Sequence, residues 1–244
     1  MSARGRALLP VLCGALLAAC VHPAHDHEAS VTMIDGRRSA LPGLGSEHAP
    51  QVDRAARLAA ANELDEAAAL VEAVLADFAA LMAKREAKYV CVANSLELDL
   101  YREQVPEGSE LVWIDWSYCA ALHERAFILV ARGRLPEGLA ALDAEIAAAP
   151  FGAAAHNEKG FVQNKLGHPE LALKSYQRAL ELSSAHASQA ADQPLALRGL
   201  GFSLTELGRF DQAEAAYRRS LELDPDNEIA LNELEYLRRA RDAR

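Results

Sequence analysis

The segment PLALRGLGFSLTELGRFDQAEAAYRRSLELDPDN, Pro194 to Asn227, decides the fold. Leu197, Leu200, Gly201, Leu204 and Gly208 mark its first half, and Ala213, Tyr217, Leu221 and Pro225 its second. Apolar residues recur at three- and four-residue intervals on both sides of Gly208, which is the pattern of two amphipathic helices. Gly208 stands at the turn, where a left-handed backbone costs glycine little. Ala153 to His186 repeats the spacing with Gly160, Gly167, Ala172, Tyr176, Ala179 and Leu180. Cys119 to Gly152 repeats it again with Leu122, Ala126, Leu129, Gly133, Gly138, Leu142, Ile146 and Pro150. Each unit is 34 residues long; the first two abut, and a seven-residue insertion, Ala187 to Gln193, displaces the third.

Small residues recur where two such helices would cross most closely. They are Ala126, Gly160 and Gly201 on the first helices, and Gly138, Ala172 and Ala213 on the second. No single pair can bury its apolar stripe, so neighbouring units must stack. These residues and their spacing resemble the tetratricopeptide repeat (TPR) family over 119 to 227. One departure is clear: where the family often has Trp early in the first helix, this chain has Leu122, His156 and Leu197. The resemblance implies an all-α fold, a TPR-type α-solenoid of stacked antiparallel helix hairpins. Its repeats are 119–152, 153–186 and 194–227, within a TPR domain of 119–244.

Outward from the repeats, Glu228 to Arg244 reads as a last helix, capping the stack over 228–242. Ile229, Leu231, Leu234 and Leu237 form its apolar side, and Arg238, Arg239, Arg241 and Arg244 crowd its end, where positive charge complements the macrodipole. In the other direction, 51–118 is expected to be an N-terminal helical region. Gln51 to Lys88 carries Ala, Leu and Glu at helical spacing, and Leu58, Asn62, Ala67, Val71 and Leu75 echo the repeat offsets. His48 to Leu81 is therefore a candidate degenerate repeat that closes one end of the array. Beyond it, Asn94 and Glu97 form a capping-box pattern for a short helix ending before Pro106. Leu111 to Trp116 is β-prone and holds both tryptophans, predicting an extended segment near 110–116. That segment is either a hydrophobic clasp between the front helices and the repeats or one wall of a binding groove. Cys91 and Cys119 are either a disulfide, which an oxidising compartment would permit, or two buried thiols.

Met1 to Ala19 has the form of a secretory leader: Arg4 and Arg6, then an apolar run too short to span a bilayer. It ends in Leu17-Ala18-Ala19-Cys20, which resembles the lipobox of bacterial lipoproteins. That resemblance implies cleavage before Cys20, acylation of Cys20 and, with Val21 following, an outer-membrane anchor facing the periplasm. Residues 20–50 then read as a lipidated, disordered tether, rich in Pro and Gly and without helical periodicity. At about thirty residues it would span on the order of 30 Å. His22, His25, Asp26, His27 and Glu28 cluster there; a loose tether fixes no geometry, so no metal is assigned to them.

The 244 residues carry a formal charge of −10. Without Arg4 and Arg6, 23 basic residues face 35 acidic ones, a balance that argues against nucleic acid as partner. No Gly-rich phosphate loop, His-Glu-x-x-His or Gly-x-Ser-x-Gly occurs, so no catalytic residue, metal, cofactor or small-molecule substrate is expected. Phe127, Phe161 and Phe202 share one offset in the three units, flanked by a row of His123, Asn157 and Arg198 and a row of Val130, Asn164 and Thr205. In TPR proteins the first helices line the concave groove. The resemblance thus makes His123, Phe127, Asn157, Phe161, Asn164, Lys165, Arg198, Phe202 and Thr205 candidates for gripping a protein or peptide partner. The alternative is that the phenylalanines form inter-repeat core. TPR domains that clamp chaperone carboxylates have Lys and Asn at the offsets of His123 and Phe127, so that ligand is not expected. The resulting expectation is a membrane-anchored scaffold. The rivals are a constitutive subunit of an envelope complex, and an enzyme whose pocket joins the 110–118 segment to His123 and Glu158.

Overall fold

The computed structural model describes residues 31–34, 37–40, 44–91, 101–102 and 110–242. The leader, Cys20, the histidine cluster and most of the Asn94 helix lie outside them. The described chain is an all-α stack with two small two-stranded sheets. In order, the elements are β1 (Val31–Ile34), β2 (Arg37–Ala40), α1 (Ala49–Ala60), α2 (Leu64–Met82), β3 (Lys88–Cys91) and β4 (Leu111–Ile114). The repeats follow as α3 (Trp116–Ala131) with α4 (Leu135–Ala148), α5 (Ala153–Lys165) with α6 (Pro169–Ala185), and α7 (Gln193–Glu206) with α8 (Phe210–Leu223). The last helix is α9 (Glu228–Asp242). Six residues of the insertion, Ala187–Asp192, form a 3-10 segment, and its last, Gln193, opens α7. No helix among the described residues is long and apolar enough to cross a membrane.

Four hairpins, not three, share one turn. Asn62, Gly133, Gly167 and Gly208 all have positive φ, between 63° and 79°. In each, the next amide donates to the carbonyl five residues back: Glu63 to Leu58, Arg134 to Leu129, His168 to Gln163 and Arg209 to Leu204, at 2.8–2.9 Å. This is the hydrogen bond that closes a helix through a left-handed residue. Asn62 substitutes for glycine because its short polar side chain tolerates that conformation. The α1–α2 pair is therefore a full hairpin of the stack, and α3 packs directly against both of its helices.

A second regularity explains why the helices cross where they do. Counting back seven from each turn gives Ala55, Ala126, Gly160 and Gly201; counting forward nine gives Val71, Leu142, Tyr176 and Tyr217, all buried. Alanine accompanies valine or leucine, and glycine accompanies tyrosine, so the pair volume stays nearly level as close packing requires. A Cβ on Gly160 would lie 2.8 Å from Tyr176 Cε2, and one on Gly201 2.7 Å from Tyr217 Cε1.

The clasp reading of 110–116 matches the packing. β4 pairs in parallel with β3, from Lys88 opposite Leu111 to Cys91 opposite Ile114. Ile114 and Cys91 join one apolar cluster with Val52 of α1, Val74 and Phe78 of α2, Cys119 and Ala121 of α3 and Ala148 of α4. Trp113 packs on a neighbouring cluster with Val90, Phe151 and Leu182. A disulfide joins Cys91 to Cys119 across this junction, with Cα atoms 6.3 Å apart.

The expectation of a featureless tether to residue 50 needs correction. β1 and β2 form an antiparallel hairpin, and Ser46–His48 is a 3-10 turn leading into α1. Residues 44–48 are docked on the clasp: Asp115 N donates to Leu44 O at 3.0 Å, and the His48 ring lies 5.0 Å from that of Phe78. Gly45 makes this approach possible, because a Cβ there would fall 2.2 Å from Phe78 Cε1.

Candidate functional site

Among successive first helices, α1 packs on α3 and α5 packs on α7, whereas α3 and α5 approach each other least closely. A pocket opens in that gap. Its walls are Ala126, Phe127, Val130 and Ala131 of α3, Leu142 of α4 and Phe161 of α5, and His123 and Glu158 supply its polar groups. At the offsets of His123, Phe127 and Val130, α1 has the small Val52, Ala56 and Ala59, which let it sit close on α3, whereas α5 carries Asn157, Phe161 and Asn164 there.

The predicted rows do not lie on an open surface as a set. His123, Asn157, Phe161 and Thr205 are buried, at 6%, 1%, 7% and 6% exposure. Phe161 belongs to the core between the first two repeats, with Ala126, Leu129, Leu142 and Val162, so the inter-repeat alternative describes it. Phe127 and Phe202 remain half-buried at the same offset. Thr205 turns inward and donates to Gly201 O at 2.8 Å. Asn157 donates to Asp192 O at 3.3 Å, and Asn164 donates to Ser203 Oγ at 3.0 Å. Arg198 pairs with Asp224 at 3.0 Å, tying α7 to the segment after α8. Lys165 Nζ stands 5.1 Å from the centre of the Phe161 ring. The physical reason is that a first helix in this stack is covered on three sides, leaving a narrow open strip.

Beneath the pocket lies a group of carboxyls that sequence reasoning did not assemble. His123 Nδ1 is 3.0 Å from Glu145 Oε2, with both residues buried. Glu124 is buried beside them, and desolvation raises its pKa, with repulsion from Glu145 adding to the shift and His123 opposing it. Glu158 keeps some surface exposure as a residue, yet desolvation of its carboxyl, with Glu145 and Asp192 near, pushes it up to about 7. Asp192 is also raised, chiefly by burial. His156, two residues before Glu158 on α5, is held down at about 4 by desolvation and by Arg178 and Lys159. A signal for Glu145 did exist: twelve residues after the turn, the other hairpins carry Val74, Ala179 and Ser220, so a glutamate there breaks a core column. No group of residues among those described has metal-binding geometry.

Residues 152–226 match the family model of the tetratricopeptide repeat. No curated protein matches the chain. Among solved structures, MamA aligns over 82% of this chain and 85% of its own, with a TM-score of 0.52 and 14% identity. YrrB, described as a TPR protein with an unusual peptide-binding site, aligns over 81% of this chain and 79% of its own, with a TM-score of 0.50 and 21% identity. The first TPR of Spaghetti (RPAP3), bound to the HSP90 peptide SRMEEVD, aligns over 52% of this chain and 96% of its own, with a TM-score of 0.48 and 21% identity. The segment 152–226 thus carries tetratricopeptide repeats, and the hairpin stack around it has the TPR-type solenoid fold.

Proposed function

We propose that this chain is a lipid-anchored scaffold that holds a peptide or protein partner against its first-helix face, and that its work is binding, with no reaction step. The observation that carries the reading is the pocket between α3 and α5, walled by Phe127, Val130, Ala131 and Phe161. An apolar pocket beside a polar floor suits a partner side chain that anchors while the polar groups fix register. The peptide-binding site in YrrB's description is in keeping with this use of the fold. Cys20, within its lipobox-like sequence, would supply the anchor, and the tether would raise the effective concentration of the bound partner at the periplasmic face of the outer membrane. The buried disulfide fits an oxidising compartment of that kind.

Two measurements test the two halves. Cys20→Ser is expected to move the protein from the membrane pellet to the soluble fraction after a high-salt wash; unchanged fractionation removes the anchor. Partners co-purified with the wild type are expected to be lost with Phe127→Ala and Ala131→Glu, which alter the pocket wall and leave the buried Phe161 in place. Equal recovery with both variants removes the groove.

A further inference from the structure

The pocket mixes two chemistries that few side chains match together. Its walls are aromatic and aliphatic, while its polar surface is Glu158 backed by Glu145 and Asp192, with one imidazole, His123, already engaged by Glu145. We propose that it is the subsite for a lysine or arginine side chain of an extended partner segment, the stem lying on Phe127 and Val130 and the cationic head meeting Glu158.

Charge and shape both point this way. Lysine and arginine are the side chains that pair a three- or four-carbon apolar stem with a charged tip, and they bury the one while presenting the other. Glu158 is the one carboxyl among the lining side chains, and Glu145 and Asp192 add negative potential beside it while His123 is engaged by Glu145. Desolvated carboxyls gain most when a cation arrives, because the surrounding dielectric is low. Lys165 Nζ already stands 5.1 Å from the centre of the Phe161 ring, so an aromatic side chain of this wall accepts a cation. This charge sense is opposite to that of a carboxylate clamp.

The inference rests on the groove reading above and adds a pH signature. The titratable groups acting on Glu158 are His123 of α3, Glu145 of α4, Tyr176 of α6 and Asp192 before α7. A bound cation favours the ionised carboxyl, and Glu158 stands at about 7, so affinity is expected to rise between pH 6 and pH 8.

The test is a selection from a random peptide library displayed on phage, with the full chain carrying Cys20→Ser as bait, against Glu158→Gln and Phe127→Ala baits of matching helical circular dichroism. The expected result is enrichment of Lys or Arg at one position by the wild type, lost with Glu158→Gln. A synthetic copy of the enriched peptide with norleucine at that position should bind about ten-fold or more weakly. Peptides enriched without a basic preference, or the same preference with Glu158→Gln, overturn the cation subsite and leave the groove standing. No enrichment by the wild type overturns both. Enrichment unaffected by Phe127→Ala places the peptide elsewhere and also overturns the subsite.

Discussion

The Tyr176 ring fills the space that a side chain at Gly199 would need: a Cβ on Gly199 would lie 2.1 Å from Tyr176 Cε1. Gly199 is on α7 and Tyr176 on α6, so this contact packs the second repeat against the third. Gly199→Ala is expected to destabilise the fold by about 1–3 kcal/mol, the usual cost of overpacking a filled core. Urea denaturation checks this. Adding Tyr176→Leu, which removes the ring, should recover part of the loss in a double-mutant cycle. Additive effects would show that the two positions do not press on one another.

The turn residues separate conformation from packing. A Cβ on Gly133, Gly167 or Gly208 meets nothing within 4 Å, so only the positive φ opposes a side chain there. Each Gly→Ala substitution should cost about 1 kcal/mol, as a left-handed L-residue does. Asn62→Gly should be nearly neutral, since it exchanges one residue that tolerates positive φ for another. The comparison is read from urea midpoints.

These turns were legible in the sequence because they recur, and recurrence filters chance. Gly133, Gly167 and Gly208, with their flanking small residues, fixed the repeat length and the crossing points. The first hairpin was harder to see because Asn62 replaces glycine and Ala55 and Val71 replace the glycine–tyrosine pairing. The β3–β4 pair was half legible: Leu111–Ile114 has strand composition, but its partner Lys88–Cys91 is brought alongside by tertiary contact alone. The site was least legible. Offset places Asn157 and Thr205 on the expected row, yet a helix enclosed by three neighbours leaves few positions open. Glu145 and Asp192 reach His123 from other elements, a convergence that no local spacing encodes.

The Cys91–Cys119 link encloses a separation of 28 residues between the clasp and the first repeat. Chain entropy assigns such a loop about 3–4 kcal/mol of stabilisation. Paired Cys91→Ala and Cys119→Ala substitutions should lower the unfolding free energy by about that amount. An unchanged midpoint under oxidising conditions would mean that the bond does not constrain the unfolded chain.

Glu158 and His156 should pull stability against pH in opposite directions. Glu158 stands at about 7 in the fold against an ordinary 4.5, so the native state holds its proton more tightly. Its contribution is full below pH 4.5 and is lost as pH rises to about 7. His156 stands at about 4 against an ordinary 6.5, so its burial favours the neutral ring, and stability rises from pH 4 to 6.5. The two slopes oppose each other between 4.5 and 6.5. Glu158→Gln should therefore raise the melting temperature at pH 8 and change it little at pH 4.5. His156→Asn should weaken the rise between pH 4 and 6.5. Thermal melts across this range provide the check.

The measurement that bears most directly on the scaffold reading is photo-crosslinking in a Gram-negative cell, with a benzophenone amino acid placed at Phe127 or at Gln177, an exposed position on α6. The account predicts a discrete partner adduct from position 127 that disappears with Ala131→Glu, and none from position 177. An adduct from 177 alone, or equal adducts from both, would contradict it.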